Sequence, residues 1–260
     1  MIKGFKYSCD AGIERIVLSE NIDPDINKKI KTNQPDVILA IGIEALNQVK
    51  SIKDIPIVYL MVLNPQSVIS NQQNITGISI NIGFEKQISL FLEAMPSLKR
   101  IGTIYNPDVM KYIADDAKSV TKNKNIELIM EAVQTPKDFF KKLIEMKGKI
   151  DAFWMLPDIS LITPENIELL FLFSMENKVP VLTFSEKYFK QGALMTIFCD
   201  PLDVGRQGGV IAREIILGKK VSSIKPQFAE NAVVSFNLKI VEKLGIKINN
   251  NIKEKNWILK

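Results

Sequence analysis

The sequence contains no histidine. That absence excludes Ser/His/Asp and Cys/His catalysis, and every metal site built on imidazole. Cysteine is scarce: Cys9 and Cys199 are the only two, too few for a zinc site or a disulfide framework. They could form one bridge or stay free. Cys199 lies in an apolar run, which favours a buried thiol. Long apolar stretches are also missing, and nothing approaches the roughly 18 residues needed to span a bilayer. Residues 1–20 are mixed and polar, without the apolar core of a secretory leader. The expectation is a cytoplasmic protein, or a sequence that begins after its targeting segment. The motifs GxxxxGK[ST], GxSxG and HExxH do not occur, and no GxGxxG follows the first apolar run. The chain therefore lacks the usual phosphate-binding loops and the usual hydrolase signatures.

What is present describes an ordinary folded chain. Of 260 residues, 46% are hydrophobic and 24% charged, enough for a sizeable core and unlike a disordered segment. The net charge is +5. The lysines are spread out, with only short clusters such as Lys28-Lys29-Ile30-Lys31, so a solvated basic surface explains them better than a nucleic-acid site.

Short apolar runs alternate with amphipathic helical stretches. The runs cover 16–18, 37–41, 57–62, 75–80, 101–105, 126–130, 152–156, 181–184, 193–198 and 232–236. Most are continuous rather than alternating, as expected for parallel strands covered on both faces. Phe84, Ile88, Phe91, Leu92 and Met95 recur at helical spacing. Asp23-Pro24, Thr135-Pro136, Thr163-Pro164 and Asp200-Pro201 each place a capping side chain before a proline at the first helical position. The helix after Pro201 is expected to run through Ile216 and stop at Gly218. The glycines of 205–209 fall inside it and read as close helix packing rather than phosphate binding. Strand, crossover helix and strand in repetition predict an α/β protein with doubly wound parallel sheets. Two smaller sheets are favoured over one large one, with Pro96 marking a break near 95–100.

In open α/β sheets, ligands bind beyond the carboxyl ends of the strands. The residues there are Gly42, Ile43 and Glu44; Asn64; Tyr105 and Asn106; Asp158; Ser185; and Phe198 with Asp200. Any one of the polar members is adequately explained as a helix cap. Together they would rim a cleft. Asp158 and Asp200 favour a ligand with an amino or other cationic group, their charges being met by that ligand or a nearby lysine. Tyr105 and Phe198 favour a flat or apolar ligand body. Trp154, inside a strand, reads as core. No metal site, catalytic group or cofactor is indicated.

The stretches PDVILAIG (35–42), IPIVYLMVLNP (55–65), NITGISI (74–80), EKQISLFLEAMPSLKRIGTIYNP (85–107), IDAFWMLPD (150–158), VPVLTFSEKYFKQGALMTIFCDPLDVGRQGG (179–209) and VVSFNLKIVEKLGI (233–246) carry a resemblance. In order and spacing the chain resembles the substrate-binding proteins of ABC transporters with a type I periplasmic-binding fold, the branch of tryptophan- and tyrosine-binding lipoproteins. The resemblance implies two lobes joined by three crossing segments, with a ligand cleft between them. Mapped here, the first lobe is 1–82 plus 193–225 and the second 83–192 plus 226–260. It implies a periplasmic or extracytoplasmic protein that partners an ABC permease and ATPase and meets the membrane only through the transporter or an N-terminal anchor. Two departures accompany it. The chain starts near what resembles the family's first helix, so the N-terminal strand is expected to be missing, leaving 16–18 and 37–41 short of a neighbour. Ile43 and Glu44 stand where many relatives carry a Thr or Ser that can hold a carboxylate.

Three functions compete. The first is a solute-binding component of an importer, taking an amino-acid-like or small aromatic or organic molecule. The second is a cytoplasmic or membrane-associated ligand sensor on the same fold, for which no effector module is visible. The third is an α/β enzyme, against which the missing histidine and phosphate loops argue.

Overall fold

The computed structural model describes residues 1–18, 25–70 and 72–260, with backbone alone for residues 111–113. The chain opens with α1 (Ile2–Ser8) and α2 (Ile26–Asn33), then β1 (Ile38–Ile41), α3 (Ile43–Val49), β2 (Ile57–Val62) and β3 (Ile75–Ile82). There follow α4 (Phe84–Ala94), β4 (Arg100–Tyr105), α5 (Pro107–Asn123), β5 (Glu127–Ala132), α6 (Phe139–Glu145), β6 (Ala152–Trp154), α7 (Pro164–Asn177), β7 (Val181–Thr183), α8 (Glu186–Phe189) and β8 (Met195–Cys199). The last elements are α9 (Pro201–Ile216), β9 (Gln227–Ala229), β10 (Ala232–Phe236), α10 (Leu238–Leu244) and β11 (Ile258–Leu259).

These elements form two compact units. One is Met1–Ile82 with Cys199–Ala232, the other Gly83–Phe198 with Val233–Lys260. Each has its own sheet, ordered β1-β2-β3-β9 in the first and β11-β10-β8-β7-β6-β4-β5 in the second. The first sheet is parallel throughout, and in the second β5, β4, β6, β7 and β8 pair in parallel. The α/β class with two largely parallel sheets thus holds.

Several local expectations are corrected. Pro96 does not divide the units: α4, Met95 and Leu98 are buried within the second, and the chain crosses at Ile82–Gly83. Residues 193–198, expected with the first unit, lie in the second, because β8 pairs with β7; residues 226–232 lie with the first, because β9 pairs with β3. Residues 16–18 form no strand; Leu18 instead packs its side chain against the core over α2 and α3. The Asp23-Pro24 cap lies outside the described residues. At Thr135 the hydroxyl donates to the Asp138 carboxylate at 2.8 Å instead of capping a helix, and a single 3₁₀ turn precedes α6. Thr163 and Asp200 do cap α7 and α9, accepting from the Asn166 and Leu202 N–H groups. Gly218, at φ +97°, follows the end of α9. β1 is an edge strand paired with β2 only, and an apolar cavity of about 220 Å³ flanks it, lined in part by Ile13, Ile16, Val37 and Leu39.

The first unit's core is the largely aliphatic cluster between the sheet and α2 and α3, in which Leu46, Ile57 and Tyr59 are fully buried. On the other face α9 lies against β2 and β3, and α1 lies against α9. The glycines of α9 allow this: a Cβ at Gly205 would strike the Met1 carbonyl, and one at Gly209 the Phe5 carbonyl. The second unit buries Trp154 between Phe84 and Phe91, both edge-on, with its indole N–H donated to Gln87 at 3.2 Å.

At the amino end of the second sheet, Asp151 accepts hydrogen bonds from the Lys99 and Arg100 backbone N–H groups and from the Arg100 guanidinium at 2.7 Å. Burial by itself would raise its pKa. The Arg100 side chain and the two backbone donors outweigh that and hold the carboxyl below its usual value. A carboxyl with a lowered folded pKa contributes stability that is fully present above its unfolded pKa, about 4, and is lost as pH falls through the folded value. Asp151→Asn is therefore expected to cost about 1–3 kcal/mol at pH 7. The deficit relative to the parent should shrink progressively below about pH 4. Urea unfolding at pH 7 and pH 3 measures both; a deficit equal at the two values would contradict the assignment.

Candidate functional site

The first sheet is parallel, as are β5, β4, β6, β7 and β8 in the second, so the residues that follow those strands gather at one end of each sheet. In the first unit, β1 ends at Ile41 and the chain turns through Gly42 at φ +87°, a left-handed conformation that suits glycine, into α3. Ile43 and Glu44 form the first turn of α3; Glu44 is exposed and Ile43 half-buried. β2 leads to Asn64, buried and at φ +50°. Its side-chain oxygen accepts from the Asn81 amide at 3.3 Å, tying the ends of β2 and β3 together. Asp200 caps α9 through Oδ1, which accepts from the Leu202 N–H at 2.8 Å. Its neighbour Cys199 touches Met61, placing this helix start beside the carboxyl end of β2.

In the second unit, Tyr105 is the last residue of β4 and half-buried. Asn106 follows, and its Oδ1 caps α5 by accepting from the Asp108 N–H at 3.0 Å. Asp158 follows β6 and is 2% exposed. Its Oδ2 accepts from the Asn106 backbone N–H at 2.7 Å, and its Oδ1 from the Ser160 N–H at 3.0 Å and the Ser160 hydroxyl at 2.6 Å. The Asn106 amide reaches the same Ser160 hydroxyl at 3.2 Å. The sequence predicts that this charge is met by a ligand or a lysine. The structure corrects that: three donors of its own unit surround the carboxylate, and Asp158 acts as a brace between the loops after β4 and β6. Ser185 follows β7 and caps α8 at 3.4 Å through the Lys187 N–H. Phe198, near the end of β8, is half-buried.

The structure therefore brings the ten residues into two groups. Gly42, Ile43, Glu44, Asn64 and Asp200 belong to the first unit; Tyr105, Asn106, Asp158, Ser185 and Phe198 belong to the second. Capping is a real role for Asn106, Ser185 and Asp200. Three contributors escaped the sequence reading. Ser160 had a detectable signal, an Asp-x-Ser spacing that suits a local side-chain turn. Asn81 lay hidden behind a strand expected to end at 80. Met61 sat inside an apolar run and carried no signal.

Both cysteines are free and buried. Burial pushes the Cys199 thiol up to about 11, so it stays protonated at neutral pH. No cluster of three or more metal-ligating side chains occurs among the described residues. No helix among them is long and apolar enough to cross a membrane.

Two units, each with a parallel sheet and with polar residues at its carboxyl end, define the class of two-lobed α/β ligand-binding proteins. Residues 18–256 match the family of ABC transporter substrate binding proteins, and the chain belongs to that family. It is 26% identical over 208 residues to a tyrosine-binding protein of Clostridioides difficile, covering 76% of this chain but only 60% of that relative's length. Among solved structures it resembles a ligand-free substrate-binding protein of Clostridium difficile, with a TM-score of 0.70, 22% identity and coverage of 91% of this chain and 81% of that one. It also resembles a Streptococcus pneumonia ABC domain in complex with L-Trp, with a TM-score of 0.65, 20% identity and coverage of 90% and 82%. These structures support the shared fold.

Proposed function

We propose that this chain is the solute-binding component of an ABC importer, and that it captures an amino-acid-like molecule with an aromatic or apolar body. The observation that carries the reading is the pair of parallel sheets, each with hydrogen-bonding residues at its carboxyl end, in a chain of this family. The names of the relatives, a tyrosine-binding protein and an L-Trp complex, favour aromatic amino acids. The protein does no covalent chemistry in this reading. It works outside the cytoplasm and delivers its ligand to a permease driven by an ATPase. The candidate ligand contacts in the first unit are the residues after β1 and β2 and Asp200; in the second they are the residues after β4 and β7 and Phe198. Asp200 is the candidate ammonium holder: one oxygen caps α9, and among the described residues no partner occupies the other. Asp158 serves the site indirectly, by fixing Asn106.

Calorimetry and thermal unfolding with L-tyrosine, L-tryptophan and L-leucine test this. A binding ligand at a hundred times its Kd should stabilise the protein by about 2.7 kcal/mol. Asp200→Asn keeps the helix cap but loses the charge. It should weaken binding about ten- to a hundredfold. A panel of amino acids and small organic acids that neither binds nor raises Tm would refute the reading.

A further inference from the structure

Met61 stands out in β2 because the strand breaks its own alternation there. Ile57 and Tyr59 face the core over α2 and α3. Leu60 faces the opposite side, where a Cβ on Gly208 of α9 would meet it. Strict alternation would return Met61 to the Tyr59 side and send Val62 to the α9 side. Instead Val62 joins the same core as Tyr59. The pairing of β2 with β3 slips between Leu60 and Val62, and Met61 takes φ +57°. That left-handed conformation is unfavourable for any residue with a Cβ. A bulge of this kind re-aims a side chain, and strained residues of this kind gather at ligand clamps.

The re-aimed side chain leaves the core half-buried at the carboxyl end of β2, three residues before Asn64. Its sulfur lies 3.8 Å from the Cys199 sulfur, one residue before Asp200. The Cys199 thiol remains protonated and donates weakly to it, which steadies the thioether. A polarizable sulfur beside the candidate ammonium holder suits an aromatic ring, which gains from sulfur contact at its edge.

We infer that Met61 contacts the bound ligand and sets the preference for an aromatic body over an aliphatic one. This rests on the solute-binding reading. The test is calorimetry on the full chain with L-tryptophan, L-tyrosine and L-leucine. Met61→Gly relieves the backbone and removes the sulfur. It is expected to raise Tm while weakening the two aromatic ligands about three- to tenfold. Met61→Leu keeps the bulk and serves if the glycine variant disturbs the fold. It is expected to weaken L-tryptophan and leave L-leucine unchanged. Aromatic affinity unchanged in a folded Met61→Gly, or in Met61→Leu where that variant must serve, overturns the inference alone. A parent protein that binds none of the three overturns the solute-binding reading for amino acids, and this inference with it.

Discussion

Replacing Asp158 by alanine is expected to lower the unfolding free energy by about 2–4 kcal/mol, the cost of leaving its neutral hydrogen-bond donors without a charged acceptor. The carboxylate accepts from the Asn106 N–H, the Ser160 N–H and the Ser160 hydroxyl, and it is 2% exposed. Its loss strands the buried Asn106 N–H and leaves the part-buried Ser160 donors to water, and a stranded buried group costs about 1–3 kcal/mol before relaxation. Asp158→Asn should fall between parent and alanine, because its single carbonyl oxygen can serve one side of the brace while its amide meets donors on the other. Equilibrium urea unfolding measures the difference through the midpoint. The brace also positions Asn106, so ligand affinity should fall in whichever variant still folds. An Asp158→Ala protein with an unchanged midpoint would show that the network contributes nothing net.

Gly209→Val in α9 is the second large effect, an expected loss of about 3 kcal/mol. A Cβ at Gly209 would press on the Phe5 carbonyl at 2.5 Å and the Ser8 side chain at 2.9 Å. The obstacle is backbone on the facing helix, so rotamer changes cannot clear it, and α1 must move away. Phe5 and Cys9, buried together with Ala212, would then open to solvent. Two readouts separate undocking from global unfolding: Tm, and the labelling rate of Cys9 by a thiol reagent in a Cys199→Ser background. Labelling should accelerate in the valine variant at temperatures well below its Tm. Equal labelling rates would mean that the two helices part less easily than their packing implies.

The positions of most strands were legible because they are continuous Ile-, Val- and Leu-rich runs bounded by Pro, Asn and Asp. Burial on both faces demands that pattern, and it is local. The runs at 57–62, 75–80 and 101–105 became β2, β3 and β4 for this reason. β9 and β11 escaped notice because they are largely exposed and lie outside any continuous apolar run, unlike the equally short β6 and β7. The run at 16–18 misled because three apolar residues can bury a side chain without joining a ladder. Pro96 misled because a proline marks the end of a helix, here α4, whether or not a unit ends with it.

By itself the sequence determined the α/β class, the capping of α7 and α9, and the placing of polar residues after strands. Each follows from spacing and from the chemistry of adjacent residues. Tertiary structure alone decided what those residues do. It joined Asp158 to Asn106 across 52 positions and so made a structural brace of a residue that looked like a ligand's counter-charge. It set α1 against the glycines of α9, and it turned Met61 out of an apolar strand to meet Cys199, 138 residues away. Such partners are distant in the chain, and their distances depend on how helices and sheets pack, which no local pattern of residues encodes.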